Sequence, residues 1–149
     1  MEDFLLFKFR TMYVHAPDQN LITIGNRDAR ITKTGYWLRK YKLDELPQLL
    51  NILNGEMSFV GPRPEVRKYV NMYTEEQQRV LSVKPGITDW ASIQFYNENQ
   101  LLAHSDDPES YYIHQLVPLK LVKNLQYIEN NNILIDIKII LLTIKRMVA

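Results

Sequence analysis

The sequence contains no cysteine, which excludes disulfides, thiolate catalysis and cysteine-ligated metals together. Histidine is scarce: His15, His104 and His114 are the three, and no two of them have zinc-site spacing. They read as incidental to chemistry, with His104 and His114 on helix or loop surfaces. Charge of one sign is also lacking. A net +1 over 149 residues offers no global field, and nucleic acid is not expected as a partner. No uninterrupted apolar stretch approaches the ~20 residues that span a bilayer. The first residues, Met1-Glu2-Asp3-Phe4-Leu5-Leu6, place no basic segment before an apolar run, unlike a signal peptide. No internal repeat, low-complexity tract or long linker divides the chain.

What is present is an ordinary globular composition, 46% hydrophobic and 23% charged, with enough length for one domain and a real core. The pattern predicts a small, mostly helical α+β single domain with short strands and extended loops. Residues 4–13, rich in Phe and Leu, read as a short buried strand that would carry Lys8 and Arg10 on one face. Pro17, Asp18 and Asn20 supply turn chemistry. Residues 32–54 read as two helices meeting near Leu43, with Trp37, Leu46, Leu49, Leu50 and Leu53 in an apolar stripe. Asp44 as the N-cap of the second helix brings Pro47 into its first turn, where a missing N–H is tolerated. Gly55 ends that helix, and residues 57–60 are extended before a turn at Gly61-Pro62-Arg63-Pro64.

Further on, Thr74-Glu75-Glu76-Gln77 has capping-box spacing and opens a helix that runs to about Val83. Residues 87–96 read as a strand or buried extended segment. Ser105-Asp106-Asp107-Pro108 starts a helix, and Pro118 is expected to kink or divide the helical stretch 109–130. Residues 133–148 carry an Ile/Leu stripe expected to complete the core, compatible with partial contact at a bilayer interface.

The densest chemistry is Asp44-Glu45, followed by Arg63 between two prolines. A carboxylate at a helix N-terminus is kept ionised by free N–H groups and the helix dipole. Such an aspartate can attack an electrophilic phosphorus, and a neighbouring glutamate can bind Mg²⁺, which takes oxygen ligands and bridges phosphates. Pro62 and Pro64 restrict the backbone around Arg63, and an oriented guanidinium suits bidentate phosphate recognition. Each feature also has a plain structural meaning. An acidic pair most often caps a helix, Gly-Pro-Arg-Pro most often makes a rigid turn, and Lys8 and Arg10 alone are solvated cations. Spacing by itself leaves the two readings open.

The combination is more specific. Lys8-Phe9-Arg10-Thr11-Met12, Leu38-Arg39-Lys40, Leu43-Asp44-Glu45-Leu46-Pro47-Gln48, Gly61-Pro62-Arg63-Pro64 and Lys84-Pro85-Gly86-Ile87-Thr88 occur in one order. Together with Ile135-Asp136-Ile137-Lys138 they span nearly the whole chain, which closely resembles the bacterial sugar transferases, monotopic polyprenyl-phosphate phosphoglycosyl transferases.

The resemblance implies an enzyme that moves a sugar phosphate from a nucleotide sugar, usually a UDP-sugar, to polyprenyl phosphate at the start of surface-glycan assembly. It makes Asp44 the nucleophile of a covalent phosphosugar intermediate and Glu45 the Mg²⁺ ligand, with Lys8 and Arg63 binding phosphate. It implies residues 1–149 as the catalytic domain, without the hydrophobic N-terminal segment that dips into the membrane in family members. The expected place of work is the membrane surface, on the cytoplasmic face of the bacterial inner membrane.

The chain departs from the family pattern at three points. Asp89 stands where many members have glycine, Phe95-Tyr96-Asn97 stands near a Gly-Arg-Asn position, and Asn124 replaces a common aspartate. A non-catalytic scaffold of glycan assembly and a nucleotide-sugar hydrolase are the alternatives these departures raise.

Overall fold

A computed structural model of the chain describes residues 3–14, 22–25 and 28–148. His15 and the turn residues Pro17, Asp18 and Asn20 lie outside the described residues. The architecture is the expected one, mostly helical with two short parallel strands.

Helix α1 (Lys33–Lys40) begins at Thr32, whose side chain accepts the Gly35 N–H. A 3₁₀ turn (Leu43–Glu45) and helix α2 (Gln48–Leu53) follow. Two helices do meet near Leu43, but Asp44 is not an N-cap. Pro47 holds that position for α2, and the acid pair lies within the 3₁₀ turn. The reason is Lys42, whose φ of 54° turns the chain sharply before the pair.

Strand β1 (Ser58–Val60) pairs in parallel with β2 (Gly86–Thr88), with Ser58 opposite Gly86 and Val60 opposite Thr88. Between them lie α3 (Arg67–Val70) and α4 (Glu75–Gln78), the latter held by the expected capping box of Thr74 and Gln77. A 3₁₀ turn, Arg79–Ser82, carries α4 to the expected end near Val83. A Cβ on Gly86 would sit 2.2 Å from the Gly61 nitrogen, so only glycine lets the strand ends approach this closely.

The strand expected over 87–96 is short. Asp89 accepts the Ser92 N–H at 2.6 Å and starts helix α5 (Trp90–Gln94) instead. Local capping there overrides the β-propensity of the aromatics.

Helix α6 (Glu98–Ala103) and α7 (Pro108–Tyr111) follow, with Asp107 capping α7 as expected. A π-helical turn over Tyr112–Leu116 then leads into α8 (Val117–Asn130). Pro118 sits in the first turn of α8 and cannot donate an N–H backwards, which divides the helical stretch as expected. Helix α9 (Ile133–Val148) closes the described chain.

The main core joins Tyr69, Val80, Leu102, Tyr112, Leu116, Val117 and Leu121. A second cluster, Val60, Tyr127 and Ile139, seats α9 on β1. Only Ile139 of α9 is fully enclosed, whereas Ile133, Leu134, Leu141, Ile144 and Val148 are exposed. The terminal stripe therefore completes the core through one edge alone. The stripe expected on α2 is likewise outside: Leu46, Leu49, Leu50 and Leu53 are exposed. No described helix is long and apolar enough to cross a membrane.

Residues 4–13 do not form the expected buried strand. Their single bridge is Met12 to Ile31, and Leu5, Phe7, Phe9 and Tyr13 are exposed. The segment is extended because it is pinned from the side. Asn51, fully buried, accepts the Phe7 N–H and donates to the Leu5 carbonyl, and the Phe9 N–H donates to the Asp44 carbonyl at 2.9 Å. Those bonds take the place of a sheet ladder.

Candidate active site

The site is assembled from turns and helix ends, not from one element. The 3₁₀ turn after Lys42 presents Asp44 and Glu45, both 8% exposed. The end of β1 delivers Arg63, and the pinned extended segment delivers Lys8 beside them. These four residues, picked out by the sequence, line one cavity of about 470 Å³. Arg10, by contrast, is exposed and stands apart from the cavity lining. His104 and His114 lie on the surface, as expected.

Glu45 and Arg63 form a two-pronged ion pair. Nη1 of Arg63 donates to Oε2 at 2.9 Å and Nη2 donates to Oε1. Lys8 Nζ donates to the same Oε1 at 3.4 Å. Burial opposes ionisation of Glu45, but Arg63, Lys8 and Lys42 outweigh it and hold the carboxyl at about 2. Arg63 is held firmly protonated by Glu45 against its own burial, with Asp89 adding to the effect.

Asp44 contrasts with its neighbour. Its Oδ1 is buried and has no hydrogen-bonding partner. A buried carboxylate oxygen without a donor is unfavourable, which sets Asp44 Oδ1 apart from the clamped oxygens of Glu45.

The cavity is more cationic than the sequence indicated. Arg39, Lys42, Lys120 and Arg146 line it together with Lys8 and Arg63. Burial lowers the pKa of both Arg39 and Lys42. Tyr96 takes Lys42 Nζ at 5.7 Å and the Arg146 guanidinium at 5.6 Å over its ring, and its hydroxyl donates to the Lys40 carbonyl. Near the position where the family pattern has arginine, this chain thus has an aromatic ring that gathers two cations from elsewhere.

Arg39 lies within the Leu38-Arg39-Lys40 motif and Lys42 directly precedes Leu43-Asp44-Glu45, so both could have been inferred from the motifs. Lys120 and Arg146 sit on α8 and α9, and no local signal marks them. The rest of the lining mixes polar residues such as Thr11, Thr88, Glu98 and Asn99 with apolar ones, among them Leu46, Leu49, Phe59, Ile140 and Ile144. The cavity therefore runs from a cationic floor to the exposed leucines and isoleucines of α2 and α9.

The sequence model for bacterial sugar transferases matches residues 1–149. The chain belongs to the bacterial sugar transferase family. Among its relatives, an uncharacterised sugar transferase EpsL of Bacillus subtilis is 40% identical over 98% of this chain. An undecaprenyl-phosphate glucose phosphotransferase of Komagataeibacter xylinus is 39% identical over 96% of it. A UDP-N-acetylgalactosamine-undecaprenyl-phosphate N-acetylgalactosaminephosphotransferase of Aeromonas hydrophila is 32% identical over 99%. This sugar transferase chain spans 63%, 26% and 32% of those three proteins' lengths. The last two are named for different sugars, so membership of the sugar transferase family leaves the donor open.

Proposed function

We propose that the chain transfers a sugar 1-phosphate from a UDP-sugar to polyprenyl phosphate through a covalent intermediate on Asp44. The observation that supports this reading is the cavity itself, where Asp44 and Glu45 lie among Lys8, Arg39, Lys42 and Arg63 beside the exposed apolar side chains of α2 and α9. Such a site fits an amphipathic acceptor whose phosphate reaches the cations while its hydrocarbon stays along α2 and α9.

In the first step a carboxylate oxygen of Asp44 attacks the sugar-bearing phosphorus, and the phosphoanhydride bond to the nucleotide breaks. UMP leaves with that bond's electrons, and an aspartyl phosphosugar remains. In the second step a phosphate oxygen of the polyprenyl phosphate attacks the same phosphorus. Asp44 departs as a carboxylate, and a polyprenyl diphosphate sugar forms. No net proton change is required. Arg63, held rigid by Glu45 and by the prolines on either side, orients the transferred phosphoryl group, with Lys8 beside it.

Mg²⁺ is proposed to associate with Glu45. Oε2 of Glu45 accepts one hydrogen bond and keeps a lone pair, so one carboxylate ligand is at hand. Among the described residues no cluster of three or more His, Cys, Asp or Glu could form a protein cage. That suits an ion that takes most of its ligands from substrate phosphates and water. Bound there, Mg²⁺ would neutralise charge on the diphosphate.

Incubation with a panel of UDP-sugars and Mg²⁺, with and without polyprenyl phosphate, tests the reading. Without acceptor at most about one UMP per protein is expected, and repeated turnover only with acceptor. Repeated release without acceptor would make the protein a hydrolase, and no release with any donor would favour a scaffold.

A further inference from the structure

A second cavity, of about 550 Å³, adjoins the first, and Lys8, Arg63 and Lys120 line both. Its lining includes two buried polar residues that the proposed chemistry does not use, Asp89 and Asn124, 1% and 5% exposed. Oδ1 of Asp89 caps α5, but its Oδ2 has no hydrogen-bonding partner, and neither has Oδ1 of Asn124. Buried acceptors left without donors are costly and uncommon, and two in one cavity wall call for a ligand that supplies the donors.

The fold places them there for a structural reason. Val60 and Thr88 are paired in the parallel sheet, so the chain leaves β1 toward Arg63 and β2 toward Asp89 on the same side. Helix α8, which packs on α5, brings Asn124. The result is a phosphate-binding cation and two hydrogen-bond acceptors around a single space.

The chemistry of the walls limits the occupant. Asp89 would repel a further phosphate, while Lys8 and Arg63, paired with Glu45, and Lys120, paired with Glu98, have more N–H donors than those bonds use and so accommodate an anionic group close by. A ligand that carries hydroxyl or N–H donors on an uncharged ring attached to a phosphate satisfies both. We infer that the second cavity is a subsite for a hydroxylated ring of the nucleotide-sugar donor, with Asp89 Oδ2 and Asn124 Oδ1 accepting hydrogen bonds from it. This rests on the donor reading proposed above and adds to it that the two substrates approach from different sides. The donor ring uses this cavity, packed beside apolar side chains such as Leu6, Val66 and Val70, the lipid acceptor enters the first cavity past the exposed side chains of α2 and α9, and the phosphates of both converge on Lys8 and Arg63.

The ring can be the pyranose or the ribose, and the experiment separates them. Asp89→Asn preserves the helix cap, since asparagine caps as well as aspartate, and converts the unpaired acceptor into a donor. Asn124→Ala removes the second acceptor independently. Each variant is titrated by calorimetry with UDP and with the UDP-sugar that the wild-type protein turns over fastest. The Kd for the UDP-sugar should rise about tenfold or more, while the KM for polyprenyl phosphate stays within about twofold. An unchanged Kd for UDP assigns the subsite to the pyranose, and a parallel rise for UDP assigns it to the ribose. Folded variants that bind the UDP-sugar like wild type would overturn the subsite alone. Wild-type protein that neither binds nor turns over any UDP-sugar would overturn the donor reading and the subsite with it.

Discussion

Around Glu45 this protein buries charge, whereas along α2 and α9 it leaves leucine and isoleucine in the open. The first region puts two carboxylates at 8% exposure against Arg63 and Lys8, and the second exposes Leu53 to 82% and Leu134 to 74%. In a protein that met only water both choices would be unfavourable, because burying ions and exposing apolar surface each cost free energy. The pairing of the two regions across one cavity gives the contrast a purpose. In the proposed reaction, desolvated charges would hold a phosphoryl group rigidly and the apolar flank would receive what is attached to a lipid phosphate.

The sharpest way to break the comparison is at Asp44, the carboxylate without a partner. Asp44→Asn should lower turnover on the order of 10⁴-fold or more and abolish any labelled sugar-phosphate adduct on the protein. Turnover near wild type would remove Asp44 from the mechanism.

Within α9 the two kinds of surface lie side by side. Ile139 is fully enclosed and Leu141 is 61% exposed. Ile139→Ala should therefore cost about 2–5 kcal/mol in urea unfolding, and Leu141→Ala about 0.5 kcal/mol or less. Equal losses would mean that the exposed face is packed in solution.

Glu45→Gln removes the charge that Arg63 faces. It should destabilise by about 3 kcal/mol, the lower end for breaking a buried pair, since the Arg63 side chain keeps 30% exposure. Circular dichroism during denaturant unfolding measures this directly.

The same pair predicts an acid dependence. The Glu45 carboxyl is lowered from 4.5 to about 2 on folding, so the folded state binds that proton less readily than the unfolded chain. Its stabilisation is complete above about pH 4.5 and fades as pH falls toward 2. The urea midpoint should drop over this window in wild type and less so in Glu45→Gln, and parallel curves would contradict the assignment.

The smallest expected effect on stability comes from the exposed flank. Leu50→Glu combined with Leu53→Glu should shift unfolding by about 0.5 kcal/mol or less, yet weaken co-sedimentation with anionic liposomes. Unchanged liposome binding would separate α2 from the lipid-facing surface.

Local grammar was legible wherever a few adjacent residues settle a choice. The capping box at Thr74, the start at Asp107-Pro108 and the division at Pro118 follow from bonds within one turn. Asp44, Glu45, Lys8 and Arg63 were also found in advance, because their types and order carry chemistry. What failed did so through distant partners. Residues 4–13 look like a strand until Asn51 and the Asp44 carbonyl claim their N–H groups. The stripes of α2 and α9 look like core, since hydrophobic period alone cannot distinguish a packed face from an exposed one. Asp89 reads as part of a strand, although its own side chain turns the chain into a helix.

By itself, the sequence determined the family, the helical α+β class and the identity of the central charged residues, since these rest on residue types and short spacings. The tertiary structure alone decided that Glu45 is clamped while Asp44 Oδ1 has no donor, because that depends on Arg63 and Lys8 arriving from chain positions 18 and 37 residues away. It also decided that Lys120 and Arg146 join the first cavity, and that Asp89 and Asn124 meet Lys120 in the second. Electrostatics and hydrogen bonding act over a few ångströms, and only the folded chain brings those groups within that range.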